Sequence, residues 1–220
     1  MEAELSIIKH VSDAFKAMHK DYDNVFKIFY PASGSNGFTE RNQTFFFTKN
    51  FLSIEHPLSI ENSAICWHEV PFGKEGEHID TLIYLPESQS VIYIEAKRLK
   101  NGKSGLNKSM LAIKDDVKRL IDELNITRGP ILKRFKDEKP INEYILILAD
   151  IWEKDGKVTF EFSEDKWCKK NWLTEAFNLK ELCLCATTNK LNTDNWRSLS
   201  SKEKYHLLLG MWKLEHKSIV

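Results

Sequence analysis

Asp80, Glu95 and Lys97 are the residues whose types and spacing can do chemistry together. Glu95 and Lys97 stand two apart in Val91-Ile-Tyr-Ile-Glu-Ala-Lys97, a segment rich in β-branched and aromatic residues. On an extended strand their side chains leave one face, while Ile92, Ile94 and Ala96 turn the other way into a core. Asp80 belongs to the preceding apolar run, Ile79 to Leu85, which stops at the turn Pro86-Glu-Ser-Gln89. A turn this short makes the two runs a hairpin, and Asp80 can then meet Glu95 across it. Two carboxylates a few ångströms apart repel unless a divalent cation sits between them. Hard oxygen donors with room for water suit magnesium, with manganese as a substitute. Lys97 adds a compact cation able to orient a water or neutralise a phosphoryl oxygen. Metal, activated water and a cationic stabiliser are the parts that phosphodiester hydrolysis needs. The same three residues also fit a plainer reading, a solvated cross-strand ion pair that contributes little.

The elements that must position these residues follow from hydrophobic periodicity. Leu5, Ile8, Val11, Phe15 and Met18 recur at helical spacing, so an amphipathic helix is expected from about Glu2 to Lys20. Pro31 to Gly37 reads as a loop, and Thr39 as the cap of a second helix that begins at Glu40 and reaches about Leu52. The period then changes. Ala64 to Val70, Ile79 to Leu85 and Val91 to Lys97 read as three strands. Gly102-Lys-Ser-Gly105 reads as a turn, after which Leu106, Met110, Ile113, Val117, Leu120 and Leu124 mark the buried stripe of a helix. Its other face, with Lys108, Lys114, Asp115, Lys118 and Arg119, is expected to be solvated, as is Asp116. Tyr144 to Ala149 is a nearly continuous apolar run, the mark of a central strand covered on both sides. Val158 to Phe162 alternates and adds a strand. Ser200-Ser-Lys-Glu203 matches a capping box, so Tyr205, Leu208, Leu209, Trp212 and Leu214 are expected on a terminal helix.

At this point the residues resemble a known group. His78-Ile-Asp80, a turn, and Val91-Ile-Tyr-Ile-Glu95-Ala-Lys97 are similar to the motif of the PD-(D/E)XK nuclease superfamily, the restriction-endonuclease-like proteins. The resemblance spans roughly residues 38–150 of the 220. Ile79 replaces the proline that usually precedes the first acid. The resemblance implies an α/β fold with an αβββαβ core, a central mixed sheet flanked by helices, with N- and C-terminal helical additions. One domain over 1–220 is then expected, its core at about 38–150 and a helical extension at about 167–220. It also implies a magnesium-dependent nuclease, acting on DNA, with Asp80 and Glu95 as metal ligands and Lys97 as catalytic lysine. Glu40 matches the acid that many members carry on the first core helix, and is a candidate third ligand. The alternative for Glu40 is a helix N-terminal carboxylate favoured by the macrodipole. Glu69 is a weaker candidate, and Asp116-Val-Lys-Arg-Leu120 is similar to the helix that follows the lysine in several members. Members that cut both strands of a duplex are often homodimers, so a homodimer is a further expectation. A catalytically inactive module on the same fold, binding nucleic acid or a protein partner, is the competing expectation.

Composition narrows the partners. Thirty-two basic residues balance thirty-two acidic ones, so a nucleic-acid face must come from local segregation of charge. Cys66, Cys168, Cys183 and Cys185 lack zinc spacing and do not suggest a disulfide scaffold. With no signal-peptide pattern and no run of about 20 apolar residues, a cytoplasmic protein free of the membrane is expected. His68 and His78 flank the candidate site and read as packed or surface residues, and the six tryptophans read as core or interface. Lys97 to Lys103, Lys133 to Lys136 and Lys166 to Lys170 are the basic runs.

Overall fold

A computed structural model describes residues 2–28, 39–54, 64–72, 76–100, 103–127, 142–153, 182–187 and 204–214. In chain order the elements are helix α1 (Glu2–Ile28), helix α2 (Glu40–Ser53), and strands β1 (Ile65–Pro71), β2 (His78–Leu85) and β3 (Ser90–Leu99). Helix α3 (Lys103–Thr127) and strands β4 (Asn142–Glu153), β5 (Leu182–Thr187) and β6 (Lys204–Lys213) follow. The six strands form one mixed sheet in the order β1-β2-β3-β4-β6-β5. Only β3 and β4 run parallel, as their connection through α3 allows; every other neighbouring pair is antiparallel. The protein is thus α/β, a mixed sheet with helices on both faces, and the stretch α2-β1-β2-β3-α3-β4 has the expected order of elements. No described helix is long and apolar enough to cross a membrane.

The alternation of side chains along the strands builds two cores. Ile92, Ile94 and Ala96 of β3 join Leu146 and Leu148 of β4 and Leu207 and Leu209 of β6 against Val11, Phe15 and Met18 of α1 and Phe47 and Phe51 of α2. The intervening residues, Val91 and Tyr93, Ile145 and Ile147, Leu208 and Trp212, face Leu106, Ile113, Val117 and Leu120 of α3. Period two in the strands meets period 3.6 in the helices on each side. Strand β4 is buried on both faces from Glu143 to Ile151, as its continuous apolar run predicts.

Several expectations need correction. Helix α1 runs past Lys20 to Ile28, because Tyr22 and Val25 continue the stripe of Phe15 and Met18. Thr39 does stand at the start of α2, but its hydroxyl makes no capping bond; its carbonyl accepts from Asn42 N–H at 2.9 Å instead. Gly105 lies within the first turn of α3, not in a turn before it, and a Cβ there would come within 2.9 Å of the Lys100 Cβ. The largest correction concerns the C-terminal end. The expected helix over Tyr205 to Leu214 is strand β6, inserted between β4 and β5, so the extension at about 167–220 adds strands to the sheet. Both faces of β6 are covered, so Tyr205, Leu207, Leu208, Leu209, Met211 and Trp212 are all buried. Such a run has no polar face, and its leucines fit either period. Gly210 is what the strand needs there: the Trp212 indole folds back over it, and a Cβ would collide with the ring. The expected strand at Val158 to Phe162, the capping box at Ser200 to Glu203, the loop at Pro31 to Gly37 and the basic runs at 133–136 and 166–170 lie outside the described residues.

Candidate active site

Asp80, Glu95 and Lys97 come together where β2 begins and β3 ends. Extending the β2–β3 register, Thr81 opposite Ile94, by one step sets Asp80 opposite Glu95, but the backbone ladder stops at Thr81. The β1–β2 ladder likewise passes from the pair His68 and Thr81 to the pair Val70 and Ile79, leaving out Glu69 and Asp80. Asp80 therefore leaves both ladders, and its side chain takes over a backbone role: Ala96 N–H donates to Asp80 Oδ2 at 2.7 Å. That bond fixes the first carboxylate against the strand that carries the second.

Glu95 is not on an exposed face, as its strand pattern suggests, because α3 covers it. It is only 3% exposed, and Oε1 is buried without a hydrogen bond. Its nearest cation is Arg119, with Nη2 3.5 Å from Oε1. Burial, and then the charges of Asp80 and Asp116, push the Glu95 carboxyl well above the usual range, against the pull of Lys97 and Arg119. Burial also raises Asp80, opposed by the Ala96 N–H bond and Lys97. Lys97 Nζ sits 2.7 Å from Asp116 Oδ2. Burial works to lower the Lys97 pKa, yet the bond to Asp116 and the charges of Asp116, Glu40 and Glu95 hold it above the ordinary lysine value.

Asp116 and Arg119 thus do not lie on a solvated face. Three apart on α3, they point at the sheet: Arg119 Nη2 is 3.5 Å from Asp116 Oδ1 and donates to the His78 carbonyl at 3.3 Å. Helical spacing places them but does not decide their surroundings. They fall beside the stripe of Ile113, Val117 and Leu120, on the flank a neighbouring strand end can reach. Glu40 arrives at the same strand end from α2, where its Oε1 accepts from Arg98 N–H at 3.1 Å. Glu69 accepts from Arg41 Nε at 3.0 Å and stands 2.8 Å from His78 Nε2, which is 4.0 Å from Asp80 Oδ1. The neighbouring His68 pairs its Nδ1 with Thr81 Oγ1 at 2.8 Å. Trp212 is core, as expected, whereas Trp67 is exposed on the edge strand. Burial pushes the Cys66 thiol up to about 11, which removes it as a nucleophile.

What could this arrangement hold? Among the described residues, no three His, Cys, Asp or Glu side chains form a group that would hold a metal by themselves. Asp80 and Glu95 form a donor pair across the hairpin, and Glu40, with Oε1 bonded to the Arg98 N–H as Asp80 Oδ2 is to the Ala96 N–H, stands at the same strand end. Two hard carboxylates, one with a buried oxygen lacking a hydrogen bond, fit magnesium, which takes one or two protein carboxylates and keeps several waters. The charge balance also favours a cation, since three carboxylates (Asp80, Glu95, Asp116) face two basic side chains (Lys97, Arg119). No protein-family description, curated protein or solved structure matches the chain.

Proposed function

We propose that this chain is a metal-dependent nuclease of the PD-(D/E)XK type, hydrolysing phosphodiester bonds in nucleic acid, with DNA as the substrate. One observation carries the reading above the others: Glu95 is a carboxylate buried among carboxylates at a strand end where Asp80 and Lys97 converge. As an anion in that setting it is unfavourable: it either keeps a proton or is stabilised by a cation beyond Arg119, and a metal between Asp80 and Glu95 would supply that charge.

Asp80 and Glu95 would hold the magnesium, which supplies Lewis acidity and lowers the pKa of bound water. The protein's own groups do the rest. The Ala96 N–H keeps Asp80 in place, and Arg119 offsets part of the negative charge around Glu95. Lys97, kept protonated by Asp116, places a cation where charge develops on a phosphoryl oxygen. The α3 wall keeps water from the far side of Glu95, so these charges act in a medium that screens them weakly.

The chain incubated with circular and linear DNA and with single-stranded RNA, each with magnesium or manganese, tests this. Cleavage that chelator abolishes is the expected outcome; full cleavage in excess chelator overturns the proposal. The second reading, a non-catalytic binding module, is favoured by the lysine being committed to Asp116 at 2.7 Å and by the lack of a three-ligand group among the described residues. Calorimetric titration with magnesium separates the two. Binding that Asp80→Asn removes supports the nuclease, and no carboxylate-dependent binding supports the module.

A further inference from the structure

We infer that Arg41 is a substrate-binding residue that grips a backbone phosphate beside the bond to be cut, and that Glu69 positions it. The identity of the ligand, a nucleic-acid phosphate, rests on the nuclease reading. The orientation of Arg41 by Glu69 is observed in residues which that reading does not use.

Glu69 adopts a φ of +52° on edge strand β1, a left-handed conformation that a side chain with a Cβ rarely takes. Strain of this kind persists only where the surroundings enforce it, and it gathers at working sites. Its local result is visible. The twist takes Glu69 out of the ladder with β2 and turns both carboxylate oxygens to account, Oε1 toward Arg41 Nε at 3.0 Å and Oε2 toward His78 Nε2 at 2.8 Å. Arg41 is largely exposed and His78 and Glu69 are partly exposed, so the ion pairs themselves contribute little to stability and do not explain the strained backbone.

What the arrangement does accomplish is orientation. Arg41 is 83% exposed, and Glu69 holds it only through Nε. Among the described residues its two terminal amino groups have no protein partner. A guanidinium anchored at Nε presents those two groups as a planar fork, the geometry that matches two phosphate oxygens. Location points the same way. Arg41 follows Glu40, whose carboxylate binds the backbone of Arg98, the residue after Lys97. Through Glu69 and His78 it is linked to Asp80, and the His78 carbonyl is held by Arg119, the partner of Glu95. It also lies in the first turn of α2, where the helix end adds positive potential. Arg41 is therefore a cation stationed at the rim of the candidate site, with no basic neighbour required to fix it.

The test measures affinity and salt dependence for a short DNA duplex in chelator, so that no cleavage occurs, and KM and kcat with magnesium. Arg41→Ala is expected to weaken binding about tenfold and to reduce the slope of log affinity against log salt by about one phosphate's share, roughly 0.9. In cleavage it should raise KM while kcat stays near wild type. Glu69→Gln should move KM in the same direction by less, since Arg41 keeps its charge while its anchor is reduced from a carboxylate to a neutral amide acceptor. Lys9→Ala, an exposed lysine on α1, serves as the control that removes charge without removing the contact. Wild-type affinity and salt slope in Arg41→Ala overturn the inference, as does a fall in kcat at unchanged KM. If the wild type binds in an Arg41-dependent way but never cleaves, the nuclease reading fails and Arg41 stands as a phosphate-binding residue alone. If the wild type neither binds nor cleaves, both fail.

Discussion

The two faces of the sheet each bury a carboxylate near the end of the parallel pair β3 and β4, and they treat it differently. On the α1/α2 face, Asp150 is fully buried, and its Oδ2 accepts from the Tyr205 hydroxyl at 2.6 Å and from Arg98 Nη2 at 3.4 Å. Tyr22 stacks on Tyr205 with ring centroids 6.0 Å apart and completes an aromatic wall. On the α3 face, Glu95 has other carboxylates as its strongest charged neighbours. Burial raises both acids, but after burial Asp150 is answered by a neutral donor and one cation, whereas Glu95 is opposed by Asp80 and Asp116. The lesson is that burial alone does not mark a working acid. Asp150 keeps Oδ1 buried without a hydrogen bond, as Glu95 keeps Oε1, but its Oδ2 is answered within the protein by the Tyr205 hydroxyl and Arg98. Glu95 sits in a network that a bound cation would satisfy.

The comparison breaks most visibly at Lys97. If the proposed nuclease reading holds, Lys97→Ala should lower kcat by on the order of 10²–10³ while leaving thermal unfolding nearly unchanged, because it would remove charge stabilisation in the transition state. Full cleavage by this variant would erase the functional difference between the two faces. Asp150 should show the opposite pattern. Its folded pKa is raised to about 6 from an ordinary 3.8, mainly by burial. A raised carboxylate pKa means that the folded state holds the proton more tightly. Its stabilising contribution is therefore complete below about 3.8 and is lost as pH rises to about 6. Denaturant unfolding of the wild type should show a fall on the order of 3 kcal/mol across that window. Asp150→Asn should flatten it and leave cleavage close to wild type; a pH dependence that survives the substitution would show that another group carries it.

Tyr205→Phe deletes the 2.6 Å bond to Asp150, and should destabilise by about 2 kcal/mol, the typical value for a hydrogen bond to a charged group. A loss of activity without loss of stability would move this network into the active site. The smallest effect concerns the metal. Magnesium at ten times its dissociation constant should stabilise the protein by about 1.4 kcal/mol, read as a rise in melting temperature. Glu95→Gln should remove that response, and should itself stabilise the metal-free protein above the ordinary glutamate range, where the buried charge is unfavourable. An undiminished magnesium response in Glu95→Gln would rule out this carboxylate as a ligand.

Much of the site's framework is legible in the amino-acid order. Glu95 and Lys97 share a face because strands have period two, and Asp80 meets them because a four-residue turn, Pro86 to Gln89, closes the hairpin. The stripe from Leu106 to Leu124 locates α3 equally well. Asp116 and Arg119 escape such a reading because a helix's flank is solvated or buried according to what lies beside it. Periodicity finds the centre of the buried stripe but not its margins. The Glu69 conformation and the network at Asp150 involve partners 28 and 55 residues away in sequence, and local patterns contain no trace of them.

The C-terminal segment draws the same line most sharply. Which residues are apolar, where turns interrupt them, and which acids and bases share a strand all follow from side-chain chemistry and backbone period, and so are properties of the chain itself. That Tyr205 to Trp212 forms a strand between β4 and β5, and that Glu95 lies beneath a helix, are outcomes of packing. A residue's environment, and with it the free energy of its charge, is set by what packs against it from elsewhere in the chain.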